Sequence, residues 1–280
     1  MIKNLLRTLV GQTVDVIGKT PVGRFAERRL LDGAMQQVQQ VSHQGVTLNF
    51  CVPNPLNRYR AESFSTKEPE TLEWIDGIAQ GAVLWDIGAN VGLYSCYAAK
   101  RRGCRVFSFE PSVFNLELLA RNIHLNGLSE TVTIVPLPLS DEKAFSTLNM
   151  SSTEWGGALS TFGKSYGQDG KPLQTVFKFS TVGLSMSDAV TLLGIPRPDY
   201  VKMDVDGLEH LILKGGASVL STVKGLLVEI HEDFQLQISD SAKYLTAAGL
   251  EFIEKRNAET DKNSLGARSF NQIWRRPASN

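Results

Sequence analysis

The residues best suited to chemistry gather in two places, each at the end of an apolar run. The first follows Val83, Leu84 and Trp85: Asp86, Gly88, Asn90 and Gly92, after which apolar residues resume at helical spacing. A run that stops at an acid, turns through two glycines and becomes a helix is the opening of a nucleotide-type α/β site. A dinucleotide fingerprint keeps a second glycine in this turn so that the backbone can approach a pyrophosphate, whereas Asn90 puts a side chain into that space. Asp86 would also repel a dianion, but it suits a ligand carrying an ammonium or another cation. S-adenosylmethionine carries both an ammonium and a sulfonium. Glu110 ends the next apolar run, 18 residues after Gly92, within reach of the ribose hydroxyls of a ligand on the first loop.

The second cluster stands at the ends of two later runs. Tyr200 to Met203 leads into Asp204, Asp206 and Glu209, and Leu226 to Ile230 carries Glu229 and stops at His231. The carboxyl end of an open α/β sheet is where ligands bind. Transfer from a sulfonium is an in-line displacement on an already activated electrophile, so the protein must position the acceptor and remove its proton. His231 is the first candidate for the base, because imidazole titrates near neutrality. Asp204, Asp206 and Glu209, with Glu229 beside them, would orient the acceptor hydroxyl; Lys202 pairs with these acids. The alternative is that the same acids hold Mg²⁺ or Ca²⁺. They lack any recognised loop spacing for a cation, so a divalent ion is not favoured and no residue is assigned as a metal ligand. Of the other histidines, His43 and His124 lie outside this cluster and His210 is expected on a helix face turned away.

Asp86-x-Gly88-x-Asn90-x-Gly92, Phe109-Glu110-Pro111, Asn115 with Asn122 and Asn126, Leu139-Ser140-Asp141, Lys202 to Glu209 and Val228-Glu229-Ile230-His231 together resemble the FkbM-type family of S-adenosylmethionine-dependent methyltransferases. The resemblance runs over roughly residues 50 to 275, and the family more often has Glu where this chain has Asp206. It implies a class I, Rossmann-like fold whose final strand is antiparallel. It implies cofactor contacts from Asp86, Gly88, Asn90, Gly92, Glu110 and Asp204, and an adenine contact at Ser140 and Asp141. It also implies that the segment before the first strand, with Arg58, Tyr59, Arg60 and Lys67, lies over the methionine end of the cofactor. The acceptors it implies are hydroxyls of sugars, polysaccharide precursors or secondary metabolites, a small molecule or a glycan.

These residues need a scaffold, and the rest of the chain spells one out. From residue 81, strands and helices alternate, the signature of a mostly parallel sheet with helices on both faces. The expected fold is α/β, seven-stranded, with a methyltransferase domain over 51–280 behind an N-terminal helical and β extension over 1–50. The rhythm breaks at 142–198, where Ser146–Met150 and Thr175–Phe179 read as two strands joined by a glycine-rich segment. Loops this long inside a domain are usually functional, so this β-hairpin insertion is the candidate acceptor lid, with Glu154, Trp155, Ser160 and Tyr166 suited to gripping a polyol.

Composition narrows the field further. The 280 residues carry 29 Lys and Arg against 29 Asp and Glu, a formal net charge of +0 that leaves no electrostatic footprint for nucleic acid. Three cysteines without C-x-x-C spacing argue against a disulfide framework and a zinc site and fit a reducing, cytoplasmic compartment. The first 20 residues lack a signal-peptide pattern, and no apolar run has the length of a membrane span. Leu5, Leu6, Leu9, Val10 and Val14 fall at helical spacing among Lys3, Arg7, Arg24, Arg28 and Arg29, which reads as a docking or oligomer helix or a peripheral membrane contact. Two other functions share the sheet: a non-catalytic S-adenosylmethionine-binding module, and a nicotinamide-dependent oxidoreductase or epimerase, which the Asn90 loop opposes.

Overall fold

The first helices of the chain open on proline, two of them behind a residue whose side chain caps the helix. In the computed structural model, which describes residues 8, 11, 13–257 and 268–278, residues 13–18 are helical and a second helix, α1 (Pro21–Met35), starts behind Thr20, whose hydroxyl accepts from Gly23 N. Leu5, Leu6, Leu9 and Val10 lie outside the described residues. An antiparallel hairpin, β1 (Val38–His43) and β2 (Val46–Cys51), follows. Asn54 caps α2 (Pro55–Glu62) by accepting from Asn57 N, and α3 (Pro69–Asp76) again opens on proline.

The alternation then builds the sheet. It runs through β3 (Val83–Ile87), α4 (Leu93–Arg102), β4 (Arg105–Phe109), α5 (Val113–Leu125) and β5 (Val132–Val135). After an insertion come α6 (Met186–Leu193), β9 (Tyr200–Met203), α7 (Glu209–Lys214), α8 (Ala217–Leu220), β10 (Gly225–His231), α9 (Gln235–Ala247), β11 (Glu251–Asn257) and β12 (Ser269–Arg275). The seven-stranded sheet has the order β11-β12-β10-β9-β3-β4-β5. Its β3, β4, β5, β9 and β10 are parallel neighbours, and β12 runs antiparallel between β10 and β11, as the resemblance implied. Because the strand order reverses beside β3, the carboxyl ends of β3 and β9 open the crevice where such sheets bind ligands.

Both faces are covered, so β3 and β10 read as nearly continuous apolar runs. Trp85, Met203, Leu226 and Val228 pack with α7 to α9 on one side, and Leu84, Val106, Tyr97 and Leu119 with α4 and α5 on the other. Leu48 and Phe50 of β2 are buried in that second core, and Asn122 of α5 and Asn126 at its C-cap bond the backbone of Cys51 and Asn49. The hairpin is therefore packed into the main body.

The insertion forms three strands instead of the two expected from the alternation: β6 (Ala144–Met150), β7 (Ser160–Phe162) and β8 (Phe177–Gly183), with β6 in the middle. β8 begins two residues later than its sequence pattern suggests, because Phe177 pairs opposite Met150 and fixes the register. β7 escapes a reading of periodicity because it is only three residues long and lies between glycines.

Candidate functional site

The turn after β3 is built by backbone that only certain residues accept. Gly88 has φ of +84°, and a Cβ there would lie 1.7 Å from the Asp204 carbonyl oxygen, so the loop presses directly on the end of β9. Gly92, at φ +82°, gives way in the same manner to Leu119 of α5. Asn90 holds φ +49° with its side chain amide donating to Gly157 O at 3.0 Å. Glu110, buried at the end of β4, accepts from Asn90 N at 2.8 Å and from Ser112 N at 2.7 Å. Burial outweighs those two hydrogen bonds and pushes its carboxyl up to about 7. Asp86 lies beneath the loop, where Ser95 donates to it at 2.5 Å and Lys202 Nζ stands 3.8 Å away.

The other wall comes from β9 and β10. Lys202 is buried, with its ammonium 3.5 Å from Asp204 and 5.1 Å from the centre of the Tyr94 ring. Burial works against its charge, but Asp204 and Asp86 outweigh it and hold the ammonium protonated well above its ordinary range. Asp204 and Glu229 share a hydrogen bond. Burial and the Asp204 charge push Glu229 well up, so it keeps its proton; burial also disfavours the Asp204 carboxylate, but Lys202 and the Glu229 hydroxyl hold it below the usual range. The pair therefore carries one negative charge and one proton.

Asp206 and Glu209 serve other ends. Asp206 sits at φ +60° and accepts from Leu159 N at 2.7 Å and Ser160 N at 3.2 Å, so it fastens the insertion. Burial, and then the charge of Asp204, push it up to about 6. Glu209 accepts from Val205 N, Gly207 N and Gln237, shaping the turn between β9 and α7, and burial pushes it up to about 7. Side chains around the site also grip the insertion backbone. Asn54 and Asn57 donate to Trp155 O, Arg60 donates twice to Gly156 O, and Asn115 bonds Gly156 N and Gly157 O. The insertion is a roof held from below, closing two joined cavities.

The larger cavity, about 300 Å³, is lined by the Gly88–Val91 turn, Tyr94, Lys202, Asp204, Asp206 and Glu229, and by Tyr59, Arg60, Phe64, Lys67 and Glu68 from α2 and beyond. The smaller, about 70 Å³, lies between Phe109, Pro111, Leu137, Leu139, Phe162 and Leu208, with Glu110 in its wall. Gly88, Asn90, Ala158, Asp204 and Asp206 border both. An apolar slot, an acid beside it and an acid-rich chamber beyond match an adenine, a ribose and a cationic amino-acid end. This donor set fits S-adenosylmethionine, and the glycine-free middle of the loop disfavours a pyrophosphate.

Several expected residues stand elsewhere. His231 lines neither cavity: its Nδ1 accepts from Asp233 N, its own N donates to Gln237, and burial pulls its pKa down. Ser140 and Asp141, expected at the adenine, stop short of the apolar slot, which Leu139 lines instead; Asp141 is ion-paired with Lys214 at 2.9 Å. His210 is buried against Phe234. In the insertion, Ser160 lines the small cavity, Tyr166 packs on Phe234, and Glu154 accepts from Asn54. Among the described residues no group of three His, Cys, Asp or Glu side chains is arranged to hold a metal ion. Tyr94 and Glu68, which share a hydrogen bond in the chamber wall, were not singled out from sequence. Tyr94 could have been found from its place two residues after Gly92, whereas no local signal marks Glu68.

Known proteins resemble this chain. A family model described as Methyltransferase FkbM domain matches residues 86–256. Hexuronic acid methyltransferase AglP of Haloferax volcanii is 25% identical over 239 residues, covering 83% of this chain and 90% of that protein. Methyltransferase sdnD of Sordaria araneosa is 26% identical over 170 residues, 46% of this chain and 58% of that one. Among solved structures, Streptococcus pneumoniae Sp1610, a putative tRNA (m1A22) methyltransferase in complex with S-adenosyl-L-methionine, aligns with a TM-score of 0.44 at 12% identity over 76% of this chain and 75% of its own.

Proposed function

The chain belongs to the FkbM methyltransferase family and is an S-adenosylmethionine-dependent methyltransferase, and from that premise we propose that it methylates a hydroxyl oxygen of a sugar, a polysaccharide precursor or a related secondary metabolite. The observation that carries this reading is the Asp204–Glu229 pair, one proton and one charge, opening into the larger cavity beside Lys202. A hydroxyl acceptor needs a group that takes its proton; a carboxylate acceptor would meet the charge of Asp204 instead. The relative named for hexuronic acid supports a sugar-type acceptor.

Bound S-adenosylmethionine supplies a methyl group already activated for in-line displacement. The chain's own residues do the rest. Glu110 and the apolar slot orient the cofactor's nucleoside, and the chamber lined by Tyr94 and Glu68 receives its amino-acid end. The acceptor hydroxyl stands against Asp204, whose carboxylate oxygen receives its proton, while Lys202 and the Glu229 hydroxyl keep that carboxylate in place. Asp206 keeps the roof closed over both, excluding water.

Incubation with methyl-labelled S-adenosylmethionine and a panel of neutral nucleotide sugars, hexuronates, glycans and polyketides tests the proposal. A methyl ether on a hydroxyl is the expected product. A methyl ester on a hexuronate would contradict it, and cofactor binding with no transfer to any acceptor would favour a binding module.

A further inference from the structure

The helix α1 lines neither cavity of the site, yet one of its faces is apolar and exposed. Val22, Phe25, Ala26 and Leu30 recur at the i, i+3, i+4 spacing of one face. They are all exposed, Val22, Phe25 and Leu30 at 78, 67 and 74%. Of the fifteen residues of α1 only Gly23 is buried. The preceding helical residues add exposed Val14 and Ile17. The charges here are segregated as well. The chain is neutral, but residues 1–36 hold six Lys and Arg against three Asp and Glu, and Lys19, Arg24, Arg28 and Arg29 are exposed.

We propose that α1 is an interfacial helix that docks the catalytic domain on an anionic lipid bilayer. Arg29 decides between a bilayer and a second copy of the chain. It is four residues after Phe25 and seven after Val22, so it projects from the middle of the apolar face. In a symmetric helix pair that face meets itself, burying one Arg29 against another. On a bilayer the long stem lies among the apolar residues while the guanidinium reaches up to lipid phosphate. No helix among the described residues is long and apolar enough to cross a membrane, so α1 lies on the surface.

The helix ends beside the site. Leu31 and Met35 share a crevice with Trp155 of the roof, and Gln37, just past α1, accepts from Arg58 of α2 at 2.8 Å. The same α2 carries Leu56, Tyr59 and Arg60 into the cavity wall, and Tyr59 is 55% exposed. A docked α1 holds the cavity mouth close to the membrane, which suits an acceptor glycan attached to a lipid. This last consequence rests on the methyl-transfer reading; the docking itself does not.

The test is flotation of the full chain with vesicles of phosphatidylcholine alone or with about 30 mol % phosphatidylglycerol. Binding to the anionic vesicles should exceed that to neutral ones by about tenfold or more and weaken when salt is raised from about 0.1 to 0.5 M. Phe25→Asp with Leu30→Asp, and separately Arg24→Glu with Arg28→Glu and Arg29→Glu, should each reduce it about tenfold or more. These side chains are exposed, so the melting temperature and S-adenosylmethionine affinity should not move; that keeps failure of docking distinct from failure of the methyltransferase site. No preference for anionic vesicles overturns the proposal. So does a stable dimer in light scattering that Phe25→Asp dissociates while vesicle binding is absent.

Discussion

The two walls of the site reach their geometry by different routes. On the β3–β4 side the backbone does the positioning: Gly88 and Gly92 sit at positive φ where a Cβ would collide, and Glu110 is pinned by the two amides it accepts from. On the β9–β10 side, four acids of similar chemistry are divided by environment into different tasks. Asp204 and Glu229 share a proton in the cavity, Asp206 ties down the roof, and Glu209 shapes a turn. The first wall is a shape and the second is an electrostatic arrangement, so the first should fail through lost cofactor affinity and the second through lost turnover.

The largest effect should come from the acid wall. Asp204→Asn removes the proton acceptor and should lower kcat by about 10²–10⁴. His231→Ala should leave kcat within about threefold, since the imidazole lies outside both cavities. Steady-state kinetics on the acceptor found in the panel checks both, with melting curves to confirm folding; a larger loss in the histidine variant would break the assignment. Gly88→Ala probes the shape wall. The added methyl meets the Asp204 carbonyl, and strain at positive φ adds to overpacking, so about 2–6 kcal/mol of stability should go, read by denaturant unfolding. An unaffected variant would mean the loop does not press on β9. Asp206→Ala leaves the Leu159 and Ser160 amides without their acceptor, at about 1–3 kcal/mol, and hydrogen exchange over residues 151–162 should quicken while the central sheet stays protected.

The smallest effect is with pH. The raised Glu110 carboxyl favours the folded free protein fully below its ordinary value near 4.5, and this contribution is lost as pH rises through about 7. Cofactor affinity moves the other way, because the ionised carboxylate accepts the ribose hydroxyl protons. Binding should tighten between pH 6 and 8 by at most about tenfold per unit, and Glu110→Gln should flatten the profile. A flat wild-type profile would show that Glu110 binds no ribose.

Legibility from sequence follows the same division. The alternation of strands and helices and the β3 turn could be read because they depend on local signals: apolar runs, an acid and two glycines. The acids at 204, 206, 209 and 229 could be placed at strand ends but not given tasks. Their partners, Leu159 and Ser160 for Asp206 and Gln237 for Glu209, are fixed only when a distant segment folds back. His231 reads as a base because imidazole titrates near neutrality; its Nδ1 accepts from the Asp233 amide and the ring lines neither cavity, and neither fact shows in the spacing. The roof was legible as an insertion of functional length, but its contacts are backbone groups gripped by Asn54, Asn57, Arg60 and Asn115, which no inventory of its own side chains could reveal.

The division of labour between the walls is tested most directly by calorimetric titration of S-adenosylmethionine into the wild type, Glu110→Ala and Glu229→Gln, a measurement that needs no acceptor. Glu110→Ala should lose about 10–100-fold in affinity, as expected for a charge-assisted hydrogen bond worth about 1.5–3 kcal/mol. Glu229→Gln keeps a hydrogen-bond donor to Asp204 and should stay within about threefold of the wild type. The reverse order, with Glu110→Ala unchanged and Glu229→Gln severely weakened, would contradict it and place cofactor recognition on the acid wall.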